Sequence, residues 1–181
     1  SQSSLLGNLM ADFVRGDPSL QWDAGIADDI RLHRRLDSLT DQLPKVREAR
    51  LLFRDETRRV SPITLDVIWD HFLARDWDKY HPQFSLADFC QQAEQQIRPY
   101  LPETPADFRE LNELMWPEQW LEKYARPERL EVVLLGMARR RPKLAKLEQS
   151  YQDFVDNYSA LERLFSQFYP RLMHSATEKR L

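Results

Sequence analysis

Asp66 and Asp70 stand one helical turn apart in "SPITLDVIWDHFLARDW" (61–77), with His71 directly after the second. Carboxylates and imidazoles move protons near neutral pH and hold divalent cations, so their directions decide whether they can act together. At about 100° per residue, Asp66 and Asp70 fall on one line flanked by Ile63, Leu73 and Trp77, and Leu65, Val67, Ile68, Trp69 and Phe72 fill most other directions. His71 points a quarter-turn away, near Thr64 and Arg75. The pattern predicts a helix buried on most sides, with both aspartates buried in it. An unpaired buried carboxylate is costly, so cations or hydrogen-bond donors must surround it.

"IADDIRLHRRLDSLTD" (26–41) shows a similar pattern: Ile26, Ile30, His33 and Asp37 share one line, which predicts an inward imidazole and carboxylate. Arg31, Arg34, Arg35 and Ser38 take the opposite side. In "LLGNLMADFVRG" (5–16), Asp12 lies at the edge of an apolar face beside Leu5 and Leu9. Two readings follow. The clusters converge as a core metal site, for which mixed carboxylate and imidazole donors suit Mn²⁺, Mg²⁺, Fe²⁺ or Zn²⁺. Alternatively they are a buried polar network, with Asp37 holding His33 and the other aspartates paired to arginines such as Arg15 or Arg58. A metal site of this kind acidifies water and offsets phosphoryl charge, which suggests phosphoester hydrolysis. The chain lacks G-x-S-x-G, a P-loop, G-x-G-x-x-G, H-E-x-x-H and zinc-spaced cysteines, so other catalytic templates have no support.

The elements that must carry these residues are helices. Glycine is scarce at four residues, period-two alternation is absent, and Leu, Phe and Trp recur at steps of three and four. Helices are predicted near 3–15, 23–40, 44–58, 61–78, 85–98, 106–125 with a break at Pro117, 127–141, and 143 to about 170. Ser61 is the expected cap of the fourth. This gives one compact all-α bundle of about seven or eight helices, read as a single domain over 1–181. Tyr151, Phe154, Tyr158, Leu161, Phe165 and Phe168 form an apolar seam on the last helix, which reads as core.

With 42% hydrophobic and 30% charged residues, the chain is globular rather than disordered. No apolar run is long enough to cross a membrane. The single cysteine, Cys90, and a start without a secretion signal point to the cytoplasm. A net charge of −3 argues against general nucleic-acid binding. Two stretches depart from that average, "KVREARLLFRDETRR" (45–59) and "ARRRPKLAK" (138–146).

Together "GNLMADFVRG", "HRRLD", "RRVSPITLDVIWDHFLARDW", "GMARRRP" and "QFYPRLM" resemble the acyl carrier protein phosphodiesterases of Gram-negative bacteria over nearly the full length. The resemblance implies an HD-domain-like helical hydrolase, dependent on a divalent cation, typically Mn²⁺. Its implied reaction removes the 4′-phosphopantetheine arm from the serine of holo acyl carrier protein. By motif, Asp12, His33, Asp70 and His71 are the implied metal ligands, and His33, Asp37, Asp66, Arg34 and Arg35 the implied catalytic set. Arg34, Arg35 or an arginine of 139–141 would offset phosphate charge, and His33 or His71 would protonate the leaving serine oxygen. The order "DH" reverses the doublet of the wider superfamily, so individual ligand roles do not transfer. Family members also begin with an apolar segment bearing an H-x-H pair, ahead of the first residue here. Since carrier proteins are acidic, Arg47, Arg50, Arg54, Arg58, Arg59, Arg139, Arg140, Arg141 and Lys143 become the expected docking residues. On the residues alone, a phosphohydrolase for another small phosphoester or nucleotide, and a non-enzymatic helical module binding an acidic partner, stay open.

Overall fold

A computed structural model describes Asp17, Leu20 and residues 24–177. The all-α expectation holds, with no strand among the described residues, but the count of helices is higher. They are α1 (Ala24–Gln42), α2 (Pro44–Leu51), α3 (Asp55–Arg58), α4 (Ser61–Arg75), α5 (Trp77–Tyr80), α6 (Leu86–Ile97), α7 (Ala106–Met115), α8 (Trp120–Lys123), α9 (Glu128–Arg140), α10 (Lys146–Asp156) and α11 (Tyr158–Thr177). Short 3₁₀ turns cover Arg98–Glu103 and Pro142–Leu144.

The surplus arises where an expected helix splits in two. The segment 44–58 turns at Phe53, which enters the core, and at Arg54, whose extended backbone N–H donates to the Asp153 carboxylate. Asp76 separates α4 from α5. The long last helix breaks at Asn157, whose side-chain amide donates to the carbonyls of Asp153 (2.9 Å) and Leu52 (3.3 Å). Short polar side chains compete with the helical ladder in this way. The break near Pro117 forms as expected, with Gln119 at a positive φ of 54°. Ser61 does not cap α4. Its hydroxyl donates back to the Arg58 carbonyl, and Val60 occupies the cap position.

The chain divides into two compact units, Ser1–Leu39 with Phe84–Trp120, and Thr40–Gln83 with Leu121–Leu181. In the first, Ser85 caps α6 by accepting from the Asp88 N–H, and Cys90, Ala93, Ile97, Phe108 and Met115 are buried. The second holds the larger core. There α4 packs against α2, α9, α10 and α11. Leu65, Ile68 and Phe72 are at most 1% exposed, and full burial of such side chains stabilises by roughly 1.5–3 kcal/mol each. The predicted seam closes the core from α10 and α11 through Phe154, Leu161, Phe165 and Phe168, straight across the Asn157 break. Trp69 meets Phe165 and Phe168 at 5.8 and 5.0 Å. No helix among the described residues is long and apolar enough to cross a membrane.

Candidate functional site

Helix α4 has a dry side and a wet stripe. Thr64, Leu65, Val67, Ile68, Trp69, His71 and Phe72 are buried, whereas Asp66 and Asp70 are exposed. This corrects the expectation of two buried aspartates. The wheel placed them correctly on one line, but that line is the side of α4 that its neighbours leave open. Their hydration is therefore retained, and burial places no demand for compensation on either.

His71 is the group that is inside, with no exposed surface. Its Nδ1 lies 2.8 Å from the Tyr124 carbonyl and its Nε2 2.8 Å from the Tyr158 hydroxyl. A carbonyl only accepts, so Nδ1 carries the proton, and the bare Nε2 accepts from Tyr158. The Tyr158 oxygen accepts in turn from Arg75 (2.8 Å), which also reaches Glu162 (3.2 Å) and binds both oxygens of Asp76 (2.8 and 2.7 Å). Phe72, Phe154 and Tyr158 enclose the ring. Burial, helped by the Arg75 charge, lowers the His71 pKa against the pull of the carbonyl bond, so the ring is neutral. Both nitrogens are thus engaged within the protein.

Through the Tyr124 carbonyl, His71 fixes the segment ahead of α9 against α4. Burial first, and the charge of Asp70 second, push the Tyr124 phenol up to about 12, with Arg129 acting in the opposite direction. Asp70 and the Arg129 guanidinium are therefore both electrostatic neighbours of the Tyr124 phenol.

On α1, His33 and Asp37 meet one turn apart, Nε2 to Oδ2 3.1 Å. They are less enclosed than predicted, His33 being 30% and Asp37 61% exposed. Arg34 and Arg35 lie on the other side as expected, lining a shallow depression with Arg31 and Asp28. Asp12, like Arg15, lies outside the described residues. Among the described residues no three His, Cys, Asp or Glu side chains gather as a ligand set.

The basic stretches are partly committed within the fold. Arg54 donates to Asp153 (2.9 Å) and the Gln149 carbonyl (2.9 Å), and Arg58 pairs with Asp55 (2.7 Å) and donates to the Phe53 carbonyl (3.0 Å). Arg47, Arg59, Arg139, Arg140, Arg141 and Lys143 are exposed, and Arg50 is half-buried.

Sequence reading placed Arg75 on the His71 side of α4, one turn on, as the structure has it, but missed two other groups. Ser150, Asp153 and Asn157 form a polar line beside the aromatic seam, a legible sign of inward polar contacts. The role of Tyr124 left no signal, because what His71 binds is a backbone carbonyl common to every residue.

The sequence pattern of the family described as acyl carrier protein phosphodiesterase matches residues 1–172. Proteins named acyl carrier protein phosphodiesterase from Serratia proteamaculans and Yersinia enterocolitica are each 54% identical to this chain, and one from Escherichia coli O157:H7 is 51% identical. Each comparison covers the whole chain and 94% of the relative. No solved structure matches the chain. With the family pattern spanning nearly all of the sequence and identity above one half throughout, the chain belongs to the acyl carrier protein phosphodiesterase family.

Proposed function

We infer that the protein hydrolyses the phosphodiester joining 4′-phosphopantetheine to the serine of holo acyl carrier protein, giving apo carrier protein and free 4′-phosphopantetheine. The observation that carries this is the full-length family match. The chemistry requires a group to take a proton from water, a cation beside the phosphoryl oxygens, and a proton for the departing serine oxygen. The chain offers two candidate centres. One is the exposed Asp66 and Asp70 line on the rigid α4, where a carboxylate can accept the proton of an attacking water. The other is the His33 and Asp37 pair, whose Nε2 and Oδ2 lie 3.1 Å apart and where the imidazole can pass a proton to a leaving oxygen, with Arg34 and Arg35 on the same helix to offset phosphate charge.

A divalent cation, Mn²⁺ first with Mg²⁺, Fe²⁺ and Zn²⁺ as alternatives, belongs to this proposal through Asp12, His33, Asp70 and His71. When bound it would acidify water and offset phosphoryl charge. The described residues alone do not form that ligand set, and His71 would have to give up Tyr158 to join it. The HD-domain likeness and a cytoplasmic setting are part of the same reading. Incubating the protein with holo carrier protein, with Mn²⁺ or with EDTA, tests it. The carrier mass should fall by the prosthetic arm with Mn²⁺ and stay constant in EDTA. An unchanged mass with every metal overturns the reading, and full activity in EDTA removes the cation from it.

A further inference from the structure

We propose that Arg59, at the end of the first basic stretch, and the second stretch, remote in sequence, form one docking surface for the carboxylate-rich face of a protein, at one end of the second unit. The partner's identity as the carrier protein rests on the function inferred above. The juxtaposition follows from helix direction. The Thr64 hydroxyl of α4 and the Ser150 hydroxyl of α10 share a hydrogen bond at 2.7 Å, and further along both helices the His71 ring meets Phe154, with Tyr158 just beyond the end of α10. The two helices therefore run the same way, and their first turns share an end. Helix α9 packs against α10 and reaches it through the short link Arg141–Ala145, which brings the last turn of α9 to the same place. Arg59, just ahead of α4, thus joins Arg139, Arg140, Arg141, Lys143 and Lys146, all exposed. Of the acids at this end, Asp55 is matched by Arg58 (2.7 Å) and Glu56 by Arg54 (3.3 Å), leaving Glu148 as the third.

Helix stability does not account for this arrangement. Cations complement a helix dipole at its C-terminus, which explains Arg139 and Arg140 on the last turn of α9. Lys146 is the first residue of α10, Lys143 precedes it, and Arg59 precedes α4. There the dipole is positive and repels them. Like charges held together against both their neighbours and two helix ends are relieved by a partner bearing carboxylates. Nucleic acid is the less suitable occupant, since no aromatic ring is exposed at this end among the described residues for bases to stack on.

The test measures binding of fluorescently labelled apo carrier protein by anisotropy, at low and high salt, since docking through charge needs no prosthetic arm. The double variant Lys143→Glu with Lys146→Glu should weaken binding by about tenfold or more at low salt and flatten its salt dependence. Arg59→Glu, from the other stretch, should weaken it by roughly threefold. Glutamate at the start of α10 suits the dipole, so melting temperature should hold. In turnover, KM for holo carrier should rise in step, with kcat at saturation within about twofold. Unchanged carrier affinity in both variants overturns the proposal. So does an oligonucleotide that binds the protein more tightly than the carrier and loses affinity in the same variants. If the wild type binds the carrier through these residues yet releases no arm, the surface stands and the reaction assigned above falls.

Discussion

Asp70 and His71 are neighbours in sequence and opposites in environment. One is exposed on the open line of α4, while the other has no accessible surface and both ring nitrogens engaged. The single backbone step of about 100° separates them into two regimes. On the dry side a polar group is kept only if every hydrogen-bonding site is met, since leaving one unmet costs about 1–3 kcal/mol. On the wet line a carboxylate keeps its charge at little cost. Position on the helix therefore predicts which property each residue controls, stability for His71 and turnover for Asp70.

The largest effect should come from His71→Ala. It removes two hydrogen bonds, leaves the Tyr124 carbonyl and Tyr158 hydroxyl without their partner, and opens a cavity among Phe72, Phe154 and Tyr158. Denaturant unfolding should show a loss of about 2–4 kcal/mol. Asp70→Asn should do the reverse, with stability within about 0.5 kcal/mol of the wild type and carrier hydrolysis slower by roughly 100-fold. An unfolded Asp70→Asn, or a His71→Ala that melts normally, would break the comparison.

Asp153 extends the dry-side rule from a neutral group to a charged one. At 2% exposure it accepts from the Arg54 backbone (3.1 Å), the Arg54 side chain (2.9 Å) and Thr57 (2.7 Å). Burial alone would raise its pKa, but these donors and the Arg54 charge more than offset that and hold it below the usual carboxylate range. A lowered folded pKa means that ionisation favours the native state. The contribution is complete above the unfolded value and is lost as pH falls through the folded one. Asp153→Asn should therefore cost about 2 kcal/mol at neutral pH and flatten the acid limb of a stability profile. A variant with the same acid slope as the wild type would remove Asp153 from this role.

The helical class, the aromatic core and the shared line of Asp66 and Asp70 were legible because all are properties of periodicity within one segment. The sign of that line was not, because a wheel fixes directions around a helix but not which of them other helices cover. With apolar residues on so many sides of α4, the sequence pattern suggested burial on most sides with both aspartates included, and only the packing of α2, α9, α10 and α11 reveals the gap. The helix breaks failed for a related reason. Asn157 and Arg54 interrupt helices through bonds to Leu52 and Asp153 respectively, contacts that join residues distant along the chain. His33 and Asp37 were paired correctly by spacing, yet spacing gave no measure of their exposure.

The smallest effect probes the proton arrangement on the dry side. Tyr158→Phe removes the one donor to His71 Nε2 and the oxygen that accepts from Arg75, while Arg75 keeps Asp76 and Glu162. The cost should be about 1 kcal/mol, one net hydrogen bond, well under that of His71→Ala because the ring and its bond to Tyr124 remain. Nitrogen-detected NMR of the wild type should find the proton on Nδ1, as a carbonyl partner there demands. In the variant Nδ1 should keep its proton while the Nε2 signal moves, since only that nitrogen loses its neighbour. A wild-type ring protonated on Nε2 would reverse the Tyr158 bond, making the hydroxyl an acceptor from both His71 and Arg75, and the description of His71 as a neutral, fully matched anchor would fail with it.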